Sequence, residues 1–510
     1  MQLTSQQFED RANAALARES WRALMSMTKS YLPDVEFFTI GVSVIGGSDI
    51  IKGEGNVIQE SDKYQYDDYS YRIHAIEVTR QEEPINSVAV AMADIELDNH
   101  DDYFTPNGGS IIEDFILPYR PVKLYMGFGD EDVQLIAGIT EKMPTVDEKT
   151  KRVKFHIVDF MYSLMNRPLD ESLMLINVRT DEAYEALMDL VGILPTQCSF
   201  DTGYNIIGFV YFPKGMKFGD AVKKLMEAEI GRAYLDETGQ HVFKNRQNYS
   251  DTPVWHFDKS NVIDIRTRTQ DDIINVVEIK SDVREVQANQ KFWELQAATL
   301  IPAGGSVDIW ADFEDPIVEA DDPEYITTAT TSLFATNTSE DGSGDPVPTD
   351  VSLSSSSVFA QSMKMTFTND NAFGVYITAL ELFARPAKVV KKIYVREQDD
   401  ASVAKYDERV LTIENDFISN ESDAYSKARI ILNDEAEYGG INEIVVKGNP
   451  AIQLGDAVAC TIPGFVGTYV VTKIVNKLLQ PQILTLKKKI VQTYFTIGVS
   501  TIGGEDVIAP

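Results

Sequence analysis

The stretch "SVAVAMADIELDNHDDYFTP" (Ser87–Pro106) alternates from Val88 to Leu97 and then runs into a polar turn. Side chains of a strand point alternately to its two faces. Ala89, Ala91, Ala93, Ile95 and Leu97 therefore share one face, and Val88, Val90, Met92, Asp94 and Glu96 the other. The first set is wholly apolar and is the expected core face. Asp98–Pro106 reads as a turn. Three strands follow at short intervals, "RPVKLYMGF", "DVQLIAGITEKMPTV" and "RVKFHIVDFMYSLMN", with no helix between them. That spacing predicts an antiparallel β-barrel or sandwich from about Asp62 to Asn166, the segment 61–168.

On the amino-terminal side, residues 1–33 predict an amphipathic helix over Thr4–Ser30. Thr4 and Gln7 make a capping box, and Phe8, Ala12, Ala15, Trp21, Leu24 and Met25 keep roughly helical spacing up to Pro33. Trp21, Leu24 and Met25 form a stripe too apolar to face water, so they are expected to contact a neighbouring molecule.

Toward the carboxy terminus the pattern changes. Residues 169–254 read as an α/β module. "TDEAYEALMDLVGI" has Thr180 as N-cap and Gly192 as C-cap, and a second helix ends at Gly231 before a hairpin turning at Glu237–Gly239. Residues 255–289 and 388–490 predict a second β-barrel with a helix, split by an acidic island. That island, 290–387, reads as an inserted β-sandwich whose middle, "TNTSEDGSGDPVPTDVSLSSSS", is a loop on composition. The expected fold is mainly β with α/β parts, in several domains.

One phrase occurs twice. "FFTIGVSVIGGSDII" (Phe37–Ile51) and "YFTIGVSTIGGEDVI" (Tyr494–Ile508) are identical at eleven of fifteen positions. Each is β-branched and alternating up to a Gly-Gly step, which suits a hairpin or a bulged strand. The copies define segments 34–60 and 491–510. Phe38, Ile40 and Val42, with Phe495, Ile497, Val499 and Gly504, are candidate assembly contacts, because a short strand edge is readily completed by another strand.

Bulk properties narrow the function classes. The chain has 510 residues, 79 acidic against 46 basic, and a net charge of −33. Between Lys291 and Lys364 there are thirteen Asp or Glu and no basic residue. Such a surface repels nucleic acid and argues against sequence-specific DNA binding. Length implies three to five domains. No apolar run is long enough to span a membrane, the amino terminus lacks the apolar core of a Sec signal, and Cys198 and Cys460 alone cannot make a disulfide scaffold.

No catalytic constellation emerges. His74, His100, His156, His241 and His256 are scattered, and no HExxH, CxxC pair, Walker loop or GxSxG elbow occurs. "DGSGD" (Asp341–Asp345) lacks the downstream glutamate of an EF-hand, and the carboxylates Asp98, Asp101 and Asp102 near His100 suit a polar turn. The expectation is no enzyme, no metal and no cofactor. A second reading is an adhesin that binds host-surface carbohydrate through the island, with Trp293, Trp310 and Tyr376 (and Tyr325, Phe359 and Phe373) stacking on sugar rings.

Several phrases together resemble one family. "SVAVAMADIELDNHDDYFTP", "LPYRPVKLYMGF", "LIAGITE" and "VKFHIVDFMYSLMNRPL" look like the first barrel of baseplate hub, or tail tip, proteins of long-tailed bacteriophages and prophages. The matching residues are Leu97, Asn99 and Phe104–Pro106, then Arg120, Pro121 and Val122, then Asp159 and Leu164. Asn449, Pro450, Leu454, Gly455 and Asp456 are similar to the start of the family's closing barrel. The likeness covers roughly Val57 to Ile490.

What it implies is a virion protein, assembled in the bacterial host cytoplasm. A homotrimer of two barrels per subunit would form a pseudo-sixfold ring joining the sixfold tail tube to threefold distal parts. Implied partners are the distal tail or tail tube protein, the tape measure protein and a tail fibre or spike protein. Genomic DNA would pass through without specific binding. Any wall-degrading activity is expected on another protein.

Overall fold

The computed structural model describes residues 1–13, 19–27, 66–82, 88–246, 252–268, 273–325, 332–436 and 441–488. Both copies of the repeated phrase, with Phe38, Ile40, Val42, Phe495, Ile497, Val499 and Gly504, lie outside these residues.

Strand Val88–Asp98 sits inside the first β lobe, between Ile73–Gln81 and Arg152–Asp159, antiparallel to both. Its alternation is the one read from sequence. Ala89, Ala91, Ala93, Ile95 and Leu97 are buried, Met92 is exposed, and Asp94 and Glu96 are half-buried. The ladder continues from Arg152–Asp159 through Glu131–Thr140 and Pro121–Phe128 to Glu19–Met25.

That last strand corrects the amino-terminal reading. Among the described residues of that span only Gln6–Asn13 is helical, and Glu19–Met25 pairs with Pro121–Phe128 at every residue from Glu19↔Phe128 to Met25↔Val122. The helix start also differs: the Ser5 hydroxyl, not Thr4, accepts from the Phe8 N–H at 3.2 Å. In strand geometry Trp21, Ala23 and Met25 fall on one face and are buried in the lobe's own core, whereas Arg22 is exposed and Leu24 half-buried. Phe8 docks on the same core, edge-on to Phe128 at 5.4 Å.

The second β lobe is smaller than expected. Val262–Arg268, Ile441–Val446, Gln482–Lys488 and Phe465–Lys477 are neighbours in that order, and Ala457–Ile462 completes the other half of Phe465–Lys477. Neither lobe closes into a barrel among the described residues. The free edge of Ile73–Gln81 is taken by the second lobe, with Gln81↔Lys473 through Glu77↔Lys477, so the lobes share one continuous sheet.

A third core absorbs segments assigned above to the second barrel. Strand Val276–Val286 pairs with the carboxy-terminal half of Val375–Gln398 and with Val410–Glu414. Val277, Ile279, Val283, Ile393, Val395 and Ile413 pack with helices Thr180–Leu190, Phe218–Glu229 and Glu421–Glu435 of the α/β region. A helix face and a sheet face each need an apolar partner, and these faces cover one another. The left-handed residue ending Phe218–Glu229 is Ile230 (φ 56°), one position before the expected Gly231.

The described residues of 290–387 form two facing sheets with a core of their own that includes Ile309, Phe334, Met363, Met365, Phe367, Ile377 and Leu382. One sheet is built on the amino-terminal half of Val375–Gln398; the other is Ser306–Asp312, Ser362–Asn369 and Val351–Phe359. The Ser-rich run assigned to a loop is therefore partly the edge strand Val351–Phe359. Its serines suit an outer strand that buries little, and its ladder to Ser362–Asn369 supplies the backbone bonds that composition does not reveal.

Candidate assembly site: the junction of the lobes

Strand Ile73–Gln81 buries Ile76 and Val78, and Arg80 continues that face. A charge on an apolar face must be paired or it costs several kcal/mol. Its partner is Glu237, in the turn between Arg232–Leu235 and His241–Lys244. The Arg80 guanidinium donates to Glu237, and both side chains are at most 4% exposed. The turn is held by the Asp236 N–H, which donates to the Gln240 carbonyl at 2.9 Å, and Gly239 there has φ +93°. Gln453 Nε2 donates to the second Glu237 oxygen at 2.5 Å, and Gln134 Nε2 donates to the Glu237 carbonyl at 2.6 Å. One turn residue thus ties the first lobe to the second through the α/β region.

A second pair lies alongside. Arg232 donates to Glu82 at 2.6 Å, both nearly buried. Gly455 has φ +81°, and a Cβ there would come within 2.6 Å of the Arg232 guanidinium. This close approach is a physical reason for glycine in "LGD", one of the residues carrying the sequence resemblance. Asp456 closes the turn by accepting from the Gln453 N–H at 2.8 Å.

Asp159 holds the same region from the other side. It caps helix Phe160–Met165 by accepting from the Tyr162 N–H at 3.1 Å, and it accepts from the Ala91 N–H at 2.7 Å. Burial pushes its carboxyl up to about 6, against the lowering effect of those backbone bonds and of nearby Arg80.

A buried charge network braces the α/β core. Glu229 accepts from the Asn205 N–H at 2.9 Å, the Tyr204 N–H at 3.1 Å and the Thr180 hydroxyl at 3.1 Å. Arg246 bridges Glu229 (3.4 Å) and Asp423 (2.9 Å), and Lys427 donates to Asp423 and to Asn205 Oδ1 at 3.2 Å. Burial lowers the Lys427 ammonium to about 8, although Asp423 opposes this. These charges are engaged with one another, an arrangement that fixes geometry.

The sequence candidates are distributed as follows. Trp21 and Met25 are core residues of the first lobe, which corrects their assignment to an intermolecular contact. Trp293 packs against the sandwich core and Tyr376 lies on the same sheet, whereas Trp310 stands on the outer face of the opposite sheet; the three do not converge. In the Asp98–Pro106 turn, Arg72 donates to both Asp101 oxygens at 2.8 Å and Lys151 reaches Asp102 at 3.0 Å. In "DGSGD", Asp341 accepts from the Ser343 N–H and hydroxyl at 3.0 and 2.6 Å. Among the described residues no group of three His, Cys, Asp or Glu is placed to hold a metal ion.

The sequence reading missed Arg80, Glu82, Arg232 and Glu237. Their signal is faint: Arg80 stands in phase with Ile76 and Val78 where the alternation calls for an apolar residue.

No protein-family model matches the chain, and no curated protein matches it. Solved structures do. The 43 kDa tail protein of prophage MuSo2 from Shewanella oneidensis is 11% identical, with a TM-score of 0.44 over 84% of this chain and 96% of that one. The tail protein from Neisseria meningitidis MC58 is 10% identical, with a TM-score of 0.46 over 84% and 94%. Prophage tail protein gp18 from Listeria monocytogenes EGD-e is 8% identical, with a TM-score of 0.41 over 84% and 92%. All three of these solved structures are tail proteins, two of them from prophages.

Proposed function

We propose that the chain is a structural virion protein, a baseplate hub or tail tip subunit that joins the tail tube to distal fibre or spike components. The observation that carries this reading is the edge-to-edge union of two β lobes from opposite ends of the chain, Glu77–Gln81 against Lys473–Lys477. A subunit with two such lobes contributes two wall segments, so three copies make a six-part ring. The ordered sequence phrases around Leu97, Arg120, Asp159 and Gly455 support it. The charge of −33 suits a channel through which DNA passes without binding.

The buried pairs at the junction fit a part that must keep its lobes in one orientation. The repeated phrases are proposed as edges that pair with the other copy, a neighbouring subunit or the next tail protein. Gly504→Val is expected to disturb that contact and leave the ring assembled. The deciding experiment is the mass and symmetry of the purified protein, alone and with its neighbours, with imaging of the intact particle. Threefold assemblies and density at the tail tip are expected. A folded assembly with only twofold symmetry would overturn the reading.

A further inference from the structure

Two of the largest apolar side chains of the sandwich stand on its solvent side. In Ser306–Asp312, Ile309 and Ala311 point into the core, so Asp308, Trp310 and Asp312 point out. In Ser362–Asn369 the buried set is Met363, Met365 and Phe367, leaving Lys364 and Thr366 outside. The register sets Trp310 beside Lys364 and Ser357, and Asp312 beside Ser362 and Phe359. Trp310 and Phe359 therefore sit diagonally on the two edge strands and lean together across the middle one. Their rings are 14° from parallel with centroids 6.1 Å apart, and they are 52% and 49% exposed.

Scattered exposed apolar residues are ordinary, but a contiguous aromatic pair on an otherwise Ser/Thr- and charge-bearing face is not. Polar groups border the rings. Lys364 Nζ is 2.8 Å from Asp308 and 5.9 Å from the Trp310 ring centre, and the Thr366 hydroxyl donates to Asp308 at 2.7 Å.

We propose that this face binds a neutral hexopyranose polysaccharide. A pyranose ring presents apolar C–H groups on its faces and hydroxyls at its rim, which matches aromatic rings bordered by carboxylate, hydroxyl and ammonium groups. Charge selects among glycans. Lys364 is the only basic residue between Lys291 and Arg385, and thirteen acids lie between Lys291 and Lys364. A polyanionic glycan is repelled by that field, whereas a neutral one is indifferent to it. The inference is independent of the hub reading, since sugar binding and assembly are measured separately.

The test titrates the full chain with maltohexaose, cellohexaose and chitohexaose by calorimetry and tryptophan fluorescence, with polygalacturonate as the polyanion. At least one neutral hexasaccharide is expected to bind with a Kd of about 0.1–1 mM. That affinity should be unchanged between about 0.05 and 0.5 M salt, because no ion pair forms. Trp310→Ala and Phe359→Ala should each weaken binding about tenfold at an unaltered melting temperature, and Trp310→Phe should retain most of it. The proposal is overturned if none of the three binds at about 10 mM, if Trp310→Ala leaves binding unchanged, or if only polygalacturonate binds. A fall in oligomer mass in the Trp310→Ala, Phe359→Ala double variant would also overturn it, assigning the face to a second copy of the chain.

Discussion

Arg80 and Glu237 stand 157 residues apart in the chain and meet as a buried ion pair, and the same carboxylate takes a hydrogen bond from Gln453 of the second lobe. An exposed pair contributes about 0–1 kcal/mol. Removing one partner of a buried pair costs about 3–5 kcal/mol, because the other charge stays desolvated. Glu237→Ala is therefore expected to lower unfolding stability by about that amount in urea titrations. Arg80→Met combined with Glu237→Leu, which removes both charges, should recover most of the loss. A double variant no better than Glu237→Ala would mean that the pair matters through Gln453 alone.

Trp21→Ala tests the corrected amino terminus. The indole belongs to the first lobe's own core, with Ala23 and Met25, so truncation should cost about 3–5 kcal/mol in the isolated subunit. The measurement is the melting temperature under conditions where the protein is monomeric. An unchanged value there, with impaired assembly, would restore the intermolecular role that helical spacing suggested.

His241 sets a pH dependence. Its ring is buried, its Nδ1 has no hydrogen-bond partner, and burial lowers its pKa to about 4 despite the carboxylate of Asp236. The folded state therefore favours the neutral ring. Its contribution is complete above the unfolded value near 6.5 and is lost as pH falls toward 4, about 3 kcal/mol in all. Asp159 acts oppositely: with its carboxyl raised to about 6, its contribution is greatest in acid and is lost as pH rises from about 4 to 6. Wild type should accordingly lose about 3 kcal/mol more than His241→Leu between pH 7 and pH 4, since Asp159 is common to both. Parallel stability curves for the two proteins would remove His241 as the cause.

What could be read from sequence followed local periodicity. Val88–Asp98 announced its core face because every second residue is apolar, and the helix at Thr180–Leu190 announced itself by spacing and by the Gly192 stop. Glu19–Met25 did not. "ESWRALM" contains good helix formers, and only pairing with a strand a hundred residues later makes it extended. The second lobe failed for a similar reason: Val276–Val286 alternates as any strand does, and nothing local says whether its apolar face meets a sheet or the helix Glu421–Glu435. At the junction, Arg80 and Glu237 each look like a solvent charge until the fold brings them together. On the sandwich, Trp310 was nameable by residue type, but its pairing with Phe359 depends on a register set by Ser362–Asn369.

The last prediction concerns how the sandwich is attached. Val276–Val286 and the carboxy-terminal half of Val375–Gln398 are antiparallel neighbours, and Val286 stands opposite Ala387. The island is therefore an elaborated hairpin loop whose two ends already lie at turn distance. Replacing Gln287–Pro386 by Asn-Gly gives a two-residue connection of the type that matches strand twist. The excision removes the Arg284–Asp315 ion pair (2.8 Å) and the bond from the Ala387 N–H to the Pro316 carbonyl (2.8 Å), while Arg284 keeps its bond to the Ala387 carbonyl at 2.9 Å. The core around Val277, Ile279, Ile393 and Val395 shares no residue with the sandwich core, so it loses no apolar partner. The shortened protein should be soluble, unfold cooperatively within about 2 kcal/mol of the parent, and keep its oligomeric mass by light scattering. Loss of all soluble protein would show that the sandwich is needed to fold the rest.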